Sequence, residues 1–234
     1  MFRRLLAEAL GSLLLAGSVV GSGILAQGLS AGNDAVALLG NTAATAAILY
    51  IIVMTLAPVS GAHFNPAVTL VFRLRGEIST AAALAYVAVQ TLACIAGAAL
   101  AHLMFELPAL QIATTDRSGA AQILSEGVAT FALVFAILGT LAVRPQAVPA
   151  AVALTIAAGY WWTASTSFAN PAISVARALS DTFSGGRPSD VPGFVLGQAA
   201  GAVLAWALCA VLYRAPPPVR TGEGAQTETG RAER

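Results

Sequence analysis

Asn65 and Asn170 are each followed by proline and alanine, and they lie 105 residues apart. Asparagine is a leading helix N-cap. Proline is favoured at the first helical position, where its missing N–H costs nothing. Asn65-Pro66-Ala67 and Asn170-Pro171-Ala172 therefore each read as the start of a helix. A helix N-terminus carries about +0.5 of a charge. Two such ends brought together, with two side-chain amides, repel cations and offer donors to the oxygen of a neutral molecule. One Asn-Pro pair is an ordinary turn signal; two at equivalent points of a repeated pattern carry more. Two acids, Glu8 and Glu126, stand alone in long apolar stretches. Such acids either serve a substrate or proton site or hold backbone in place. His63 and His102 are the only histidines. His63 reads as a hydrogen-bonding loop residue and His102 as the end of an apolar run. No nucleophile–base pair or metal-ligand cluster is legible, so no enzyme activity, metal or cofactor is expected. Cys94 and Cys209 lie inside apolar runs and read as small packing residues.

The elements that position these residues follow from composition. Of 234 residues, 57% are hydrophobic and 10% charged, against ~25% charged in a soluble domain. Mean hydropathy is +0.78. Such a chain cannot cover a globular surface with polar side chains, which excludes a soluble enzyme. The net charge of +1 leaves no basic footprint for nucleic acid. A spanning helix needs about 20 apolar residues. Six runs qualify, at about 5–27, 35–57, 79–104, 120–143, 147–165 and 191–213. The first follows Arg3 and Arg4 like a signal peptide, but Glu8 inside it and its length argue for a retained span.

With six spans both termini share a side. Nine of the twelve arginines fall on that side and three on the other, which predicts cytoplasmic termini in a cell inner membrane. Each Asn-Pro-Ala follows the second span of its half, and Glu8 and Glu126 sit in the first. Three is odd, so the second copy enters the bilayer inverted. The chain divides into a first half-repeat, 1–115, a second, 116–213, and a polar tail, 214–234, expected to be disordered. Residues 66–75 and 171–180 are too short to span, at ~15 Å each. The fold expected is an all-α membrane protein of six transmembrane helices and two re-entrant half-helices meeting near the midplane.

On Ser60-Gly61-Ala62-His63-Phe64-Asn65-Pro66-Ala67-Val68-Thr69, the second Asn170-Pro171-Ala172, and the placed Glu8 and Glu126, the sequence resembles the aquaporin/aquaglyceroporin (major intrinsic protein) family across residues 1–213. The resemblance implies a channel for water or small neutral solutes, one pore per subunit, assembled as a homotetramer in the lipid bilayer. It implies that Asn65 and Asn170 line the pore and that Glu8, Glu126 and His63 anchor its loops.

One departure stands out. The family pattern places an arginine directly after the second Asn-Pro-Ala; here that position is Ile173, and the nearest arginine, Arg177, is four residues on. Counting from the motifs puts Thr45, Ala158, Ser167 and Ile173 in the constriction, a ring without aromatic, imidazole or guanidinium; one inserted residue would shift the middle two to neighbours such as Ala157, Gly159 or Thr166. Tyr160, Trp161, Trp162 and Phe168 read as an interfacial belt. A wide, apolar ring suits glycerol-like polyols and neutral metalloid acids such as arsenite, and the segment 163–172 is similar to a bacterial subgroup associated with arsenic resistance. The alternatives are a water-selective channel and an ion-coupled secondary transporter. The latter also uses broken helices, but only Glu8 and Glu126 could couple ions.

Overall fold

The computed structural model describes residues 1–213. The expected disordered tail, 214–234, lies outside them. Eight α-helices follow in order: α1 (Phe2–Leu29), α2 (Asp34–Ser60), α3 (Pro66–Leu74), α4 (Thr80–Met104), α5 (Ala120–Val143), α6 (Val148–Trp162), α7 (Pro171–Arg177) and α8 (Val191–Leu212). Six are long and two, α3 and α7, are half-length. No strand occurs among the described residues.

Local chemistry sets the boundaries. The Asn33 side chain accepts from the N–H groups of Ala35 and Val36 and starts α2, which ends at Gly61 in the left-handed region (φ 89°). Ser79 caps α4 through the Ala82 amide. Five helices are long and apolar enough to span unaided. α6 has 15 residues and is preceded by a 3₁₀ turn, Pro145–Ala147. It stops at Trp162, short of the expected 165, because the chain there turns back into the protein and Thr166 and Ser167 adopt positive φ.

α1 packs on α2 and α4; α5 packs on α6 and α8; α2 and α6 join the two groups. The two groups use the same device. A Cβ on Gly17 would stand 3.3 Å from the Gly97 carbonyl oxygen, and a Cβ on Gly127 would stand 3.3 Å from that of Gly197. Small residues let α1 approach α4, and α5 approach α8, backbone to backbone. Leu92, Leu154 and Leu196 are each about 70% exposed, whereas Glu8, Gln90, Glu126 and Gln198 are wholly buried. The polar groups are inside and the leucines outside, as a bilayer solvent requires.

Candidate functional site: a lumen between two capped half-helices

The loops before α3 and α7 are built alike. Ala62 and Phe64 have φ of 52° and 49°; Ser167 and Ala169, each 105 residues further on, have 53° and 48°. Left-handed backbone costs a non-glycine residue about 1–2 kcal/mol, so something must hold it. A buried carboxylate does so in each half. Glu8 accepts from the His63 N–H (3.0 Å) and the Phe64 N–H (2.8 Å). Glu126 accepts from the Phe168 N–H and the Ala169 N–H, both at 2.8 Å. Behind each carboxylate stands an amide from a long helix. Gln90 of α4 donates to Glu8 (2.8 Å) and to the Thr69 hydroxyl (3.0 Å). Gln198 of α8 donates to Glu126 (2.6 Å) and to the Ser174 hydroxyl (2.9 Å). These donors offset the desolvation of an acid inside the membrane. Gln90 and Gln198 were not among the expected site residues. Their signal was a glutamine well inside the third apolar span of each half.

The asparagines do two things each. The Asn65 carbonyl oxygen caps α3 by accepting from Ala67 N–H (2.9 Å), and the Asn170 oxygen caps α7 through Ala172 (2.9 Å) and Ile173 (3.3 Å). Their amides cross over. Asn65 donates to the Ala169 carbonyl (2.7 Å) and Asn170 to the Phe64 carbonyl (2.8 Å). The half-helices thus meet at their N-termini and are locked in register by two reciprocal bonds. An amide NH₂ has two protons. One is spent on the opposite loop, which leaves the other for the cavity that both asparagines line.

That cavity has a volume of about 750 Å³ and runs from Arg75 and Gln146, at the face that holds the chain start, to Ser167 and Arg177 toward the opposite, distal face. Four long helices line it with side chains four residues apart: Leu15 and Val19; Thr45, Leu49 and Val53; Leu133, Ile137 and Leu141; Val152, Ile156 and Tyr160. α4 and α8 contribute no lining residue and serve as the backing for the two carboxylates. One wall is hydrocarbon; the loops supply the polar atoms.

Thr45, Ser167 and Ile173 all line the cavity and are buried. Ala158 does not: it is exposed, and α6 turns Ile156 and Tyr160 inward instead. At 3.6 residues per turn, position 158 lies about half a turn from 156 and 160. Counting back from Asn170 crosses the irregular 163–169 loop and so lands on the wrong face. Tyr160 is 3% exposed and its hydroxyl donates to the Thr45 hydroxyl at 3.3 Å. It belongs to the lumen, not to the expected belt, and Phe168 is likewise buried, edge-on to Phe194; only Trp161 and Trp162 face outward. His63 lines the cavity, with its Nδ1 3.1 Å from the Thr69 hydroxyl and its ring stacked on Phe72. His102 is wholly buried rather than interfacial, bridging the Ala109 carbonyl and the Ser180 hydroxyl.

Beyond Arg177 lies a second cavity of about 520 Å³, bordered by Asp34, Asn41, Arg117, Arg177 and Asp181. The connecting segments around it are tied together. The Asp181 carboxylate accepts from the Thr114 N–H (2.8 Å) and hydroxyl (2.9 Å), which holds its pKa below the usual carboxylate range. Asp116 is lowered as well, first by the Ser118 N–H.

Comparison with known proteins agrees with this geometry. The family model described as "Major intrinsic protein" matches residues 1–158. The chain is 54% identical over 217 residues, 93% of each chain, to a protein of Rhizobium meliloti (strain 1021) named aquaglyceroporin AqpS. Its fold matches the X-ray structure of the aquaglyceroporin from Plasmodium falciparum at a TM-score of 0.72 and 17% identity, covering 91% of this chain and 96% of that one. Six long helices, two half-helices capped by crossed asparagines and a lumen beside them, together with these matches, make the chain a member of the major intrinsic protein family.

Proposed function

We propose that the chain is a passive channel, not an enzyme, for small neutral solutes: glycerol-like polyols, water, and trihydroxy metalloid acids such as arsenite. The observation that carries this reading is the elongated cavity that passes both asparagine amides with hydrocarbon on its other side. A neutral molecule with several oxygens can accept from the amides and slide its carbon face along the leucines and valines. A bare cation meets two positive helix ends. The relative named aquaglyceroporin, at 54% identity, supports the polyol end of this range over strict water selectivity. Glu8, Glu126 and His63 act as loop anchors. Thr45, Tyr160, Ser167 and Ile173 form the constriction. The chain works as two half-repeats, 1–115 and 116–213, in a homotetramer in the cell inner membrane, with cytoplasmic termini.

The constriction is tested with Ile173→Arg. Ile173 lines the lumen and has no polar atom to offer. A guanidinium there narrows the ring, so glycerol and arsenite entry into reconstituted vesicles falls about tenfold while water flux falls less. Equal solute fluxes in the two proteins show that position 173 does not limit passage.

A further inference from the structure

The lumen retains a guanidinium from a position one helical turn beyond Ile173. Arg177 closes α7 and is 2% exposed. It borders both the long cavity and the distal one, so it stands at their junction. Two contacts fix it. Its Nε donates to the Ser184 carbonyl, and its guanidinium carbon sits 3.3 Å from the centroid of the Phe168 ring. Phe168 is itself held through its N–H by Glu126. Among the described residues, Arg177 has no ion-pair partner and its terminal nitrogens have no hydrogen-bond acceptor. Neither Asp34 nor Asp181, which also border the distal cavity, comes within ion-pair distance of it. Arg117, the other cation there, also lacks an ion pair among the described residues and stands 5.1 Å from the Phe168 centroid, but it is tethered through two nitrogens, its Nε to the Gly185 carbonyl (2.8 Å) and a terminal nitrogen to the Ser165 carbonyl (3.4 Å).

We propose that Arg177 is the charge-selecting residue of the channel: an unpaired, aromatic-clamped guanidinium at the junction of the two cavities that excludes cations and presents its terminal N–H groups to the oxygens of entering solutes. This inference rests on the channel reading above. A positive charge in a narrow, weakly screened passage raises the energy of any cation there far more than the same charge in bulk water. The planar fork of arginine also matches two oxygens at once, which suits a polyol or a trihydroxy acid. The position comes from the next turn of α7, so the channel keeps its charge while Ile173 leaves the ring wider.

The test uses the full chain in vesicles, with glycerol entry and potassium and proton permeability read side by side. Arg177→Gln keeps a donor for Ser184 and removes the charge. It is expected to raise cation or proton leak about tenfold or more and to slow glycerol entry several-fold, since the fork that takes its oxygens is gone. Arg177→Lys keeps the charge and is expected to stay tight to cations. Should the Gln variant fail to insert, Arg177→Cys serves: a cationic thiol reagent is expected to restore tightness and a neutral one of similar size to leave the leak. Parent-like tightness in the charge-free variants overturns the proposal, and parent-like glycerol entry in them overturns its solute contact. Absence of glycerol entry in the parent chain overturns the channel reading instead.

Discussion

Glu126 is the acceptor for the backbone N–H groups of Phe168 and of the left-handed Ala169, and for Gln198. Removing it leaves those donors buried without a partner, at about 1–3 kcal/mol each. Glu126→Ala is therefore expected to lower the thermal stability of the detergent-solubilised protein by several kcal/mol, and Glu8→Ala to do the same, read as the temperature of loss of soluble protein. Glu126→Gln, which keeps one acceptor, is expected to lose less. The constriction gives a sharper contrast. Tyr160→Ala removes a buried ring from the lumen and is expected to raise glycerol entry several-fold. Ala158→Phe adds a ring on the outward face and is expected to leave solute preference unchanged. The two variants exchange their effects if the spacing count from Asn170, and not the face of α6, gives the lumen position. At this scale the asparagines and glutamates were legible, because polar residues in an apolar chain stand out and each occurs twice. Tyr160 was not: its lumen position depends on where α6 ends and how the 163–169 loop folds, and neither has a period. Gln90 and Gln198 were legible in principle, since each is the lone amide of its span.

Among the elements, the half-helices were the most readable, since cap and proline state where each begins. α3 starts at Pro66 and α7 at Pro171, and both end within a turn or so of the expected length. The α6 terminus was the least readable because Thr163, Ala164 and Ser165 carry no charge, proline or glycine to mark the stop after Trp162. Element packing makes its own prediction. Gly97 lies against the backbone of α1, where a Cβ would come 3.0 Å from the Gly17 nitrogen and closer still to the Leu13 carbonyl. Gly97→Val forces the helices apart and is expected to cost about 1–3 kcal/mol, read as a lower melting temperature and reduced yield of folded protein. The distal segments carry the pH dependence. Asp181 is held below its ordinary pKa by Thr114, so its contribution is present above the unfolded carboxylate value of about 3.9. It is lost as pH falls through the lower folded value. Hydrogen exchange in residues 105–119 is expected to quicken in that acid window, and Asp181→Asn to quicken it already at neutral pH.

For the whole molecule, composition and the repeat pointed to a bilayer protein with inverted halves, and the exposed leucines around buried carboxylates have the arrangement that such a protein needs. What the sequence pattern could not give is the lumen itself, because an open path is defined by the side chains four helices turn toward one another. Nor did it place Arg177 at the junction of two cavities, since that depends on where the chain after α7 sets the Ser184 carbonyl and on how the loop before Asn170 turns the Phe168 ring. A channel and a coupled transporter can share every one of these elements; they differ in how flux responds to concentration and to ions. The most direct measurement is glycerol entry into vesicles carrying the purified chain, followed by stopped-flow light scattering over a wide range of glycerol gradients, with and without sodium and proton gradients. A passive channel gives entry well above empty vesicles, rising linearly with the glycerol gradient and indifferent to the ions. Entry that saturates and stops when the ion gradient is removed, or that never exceeds the empty-vesicle rate, contradicts it.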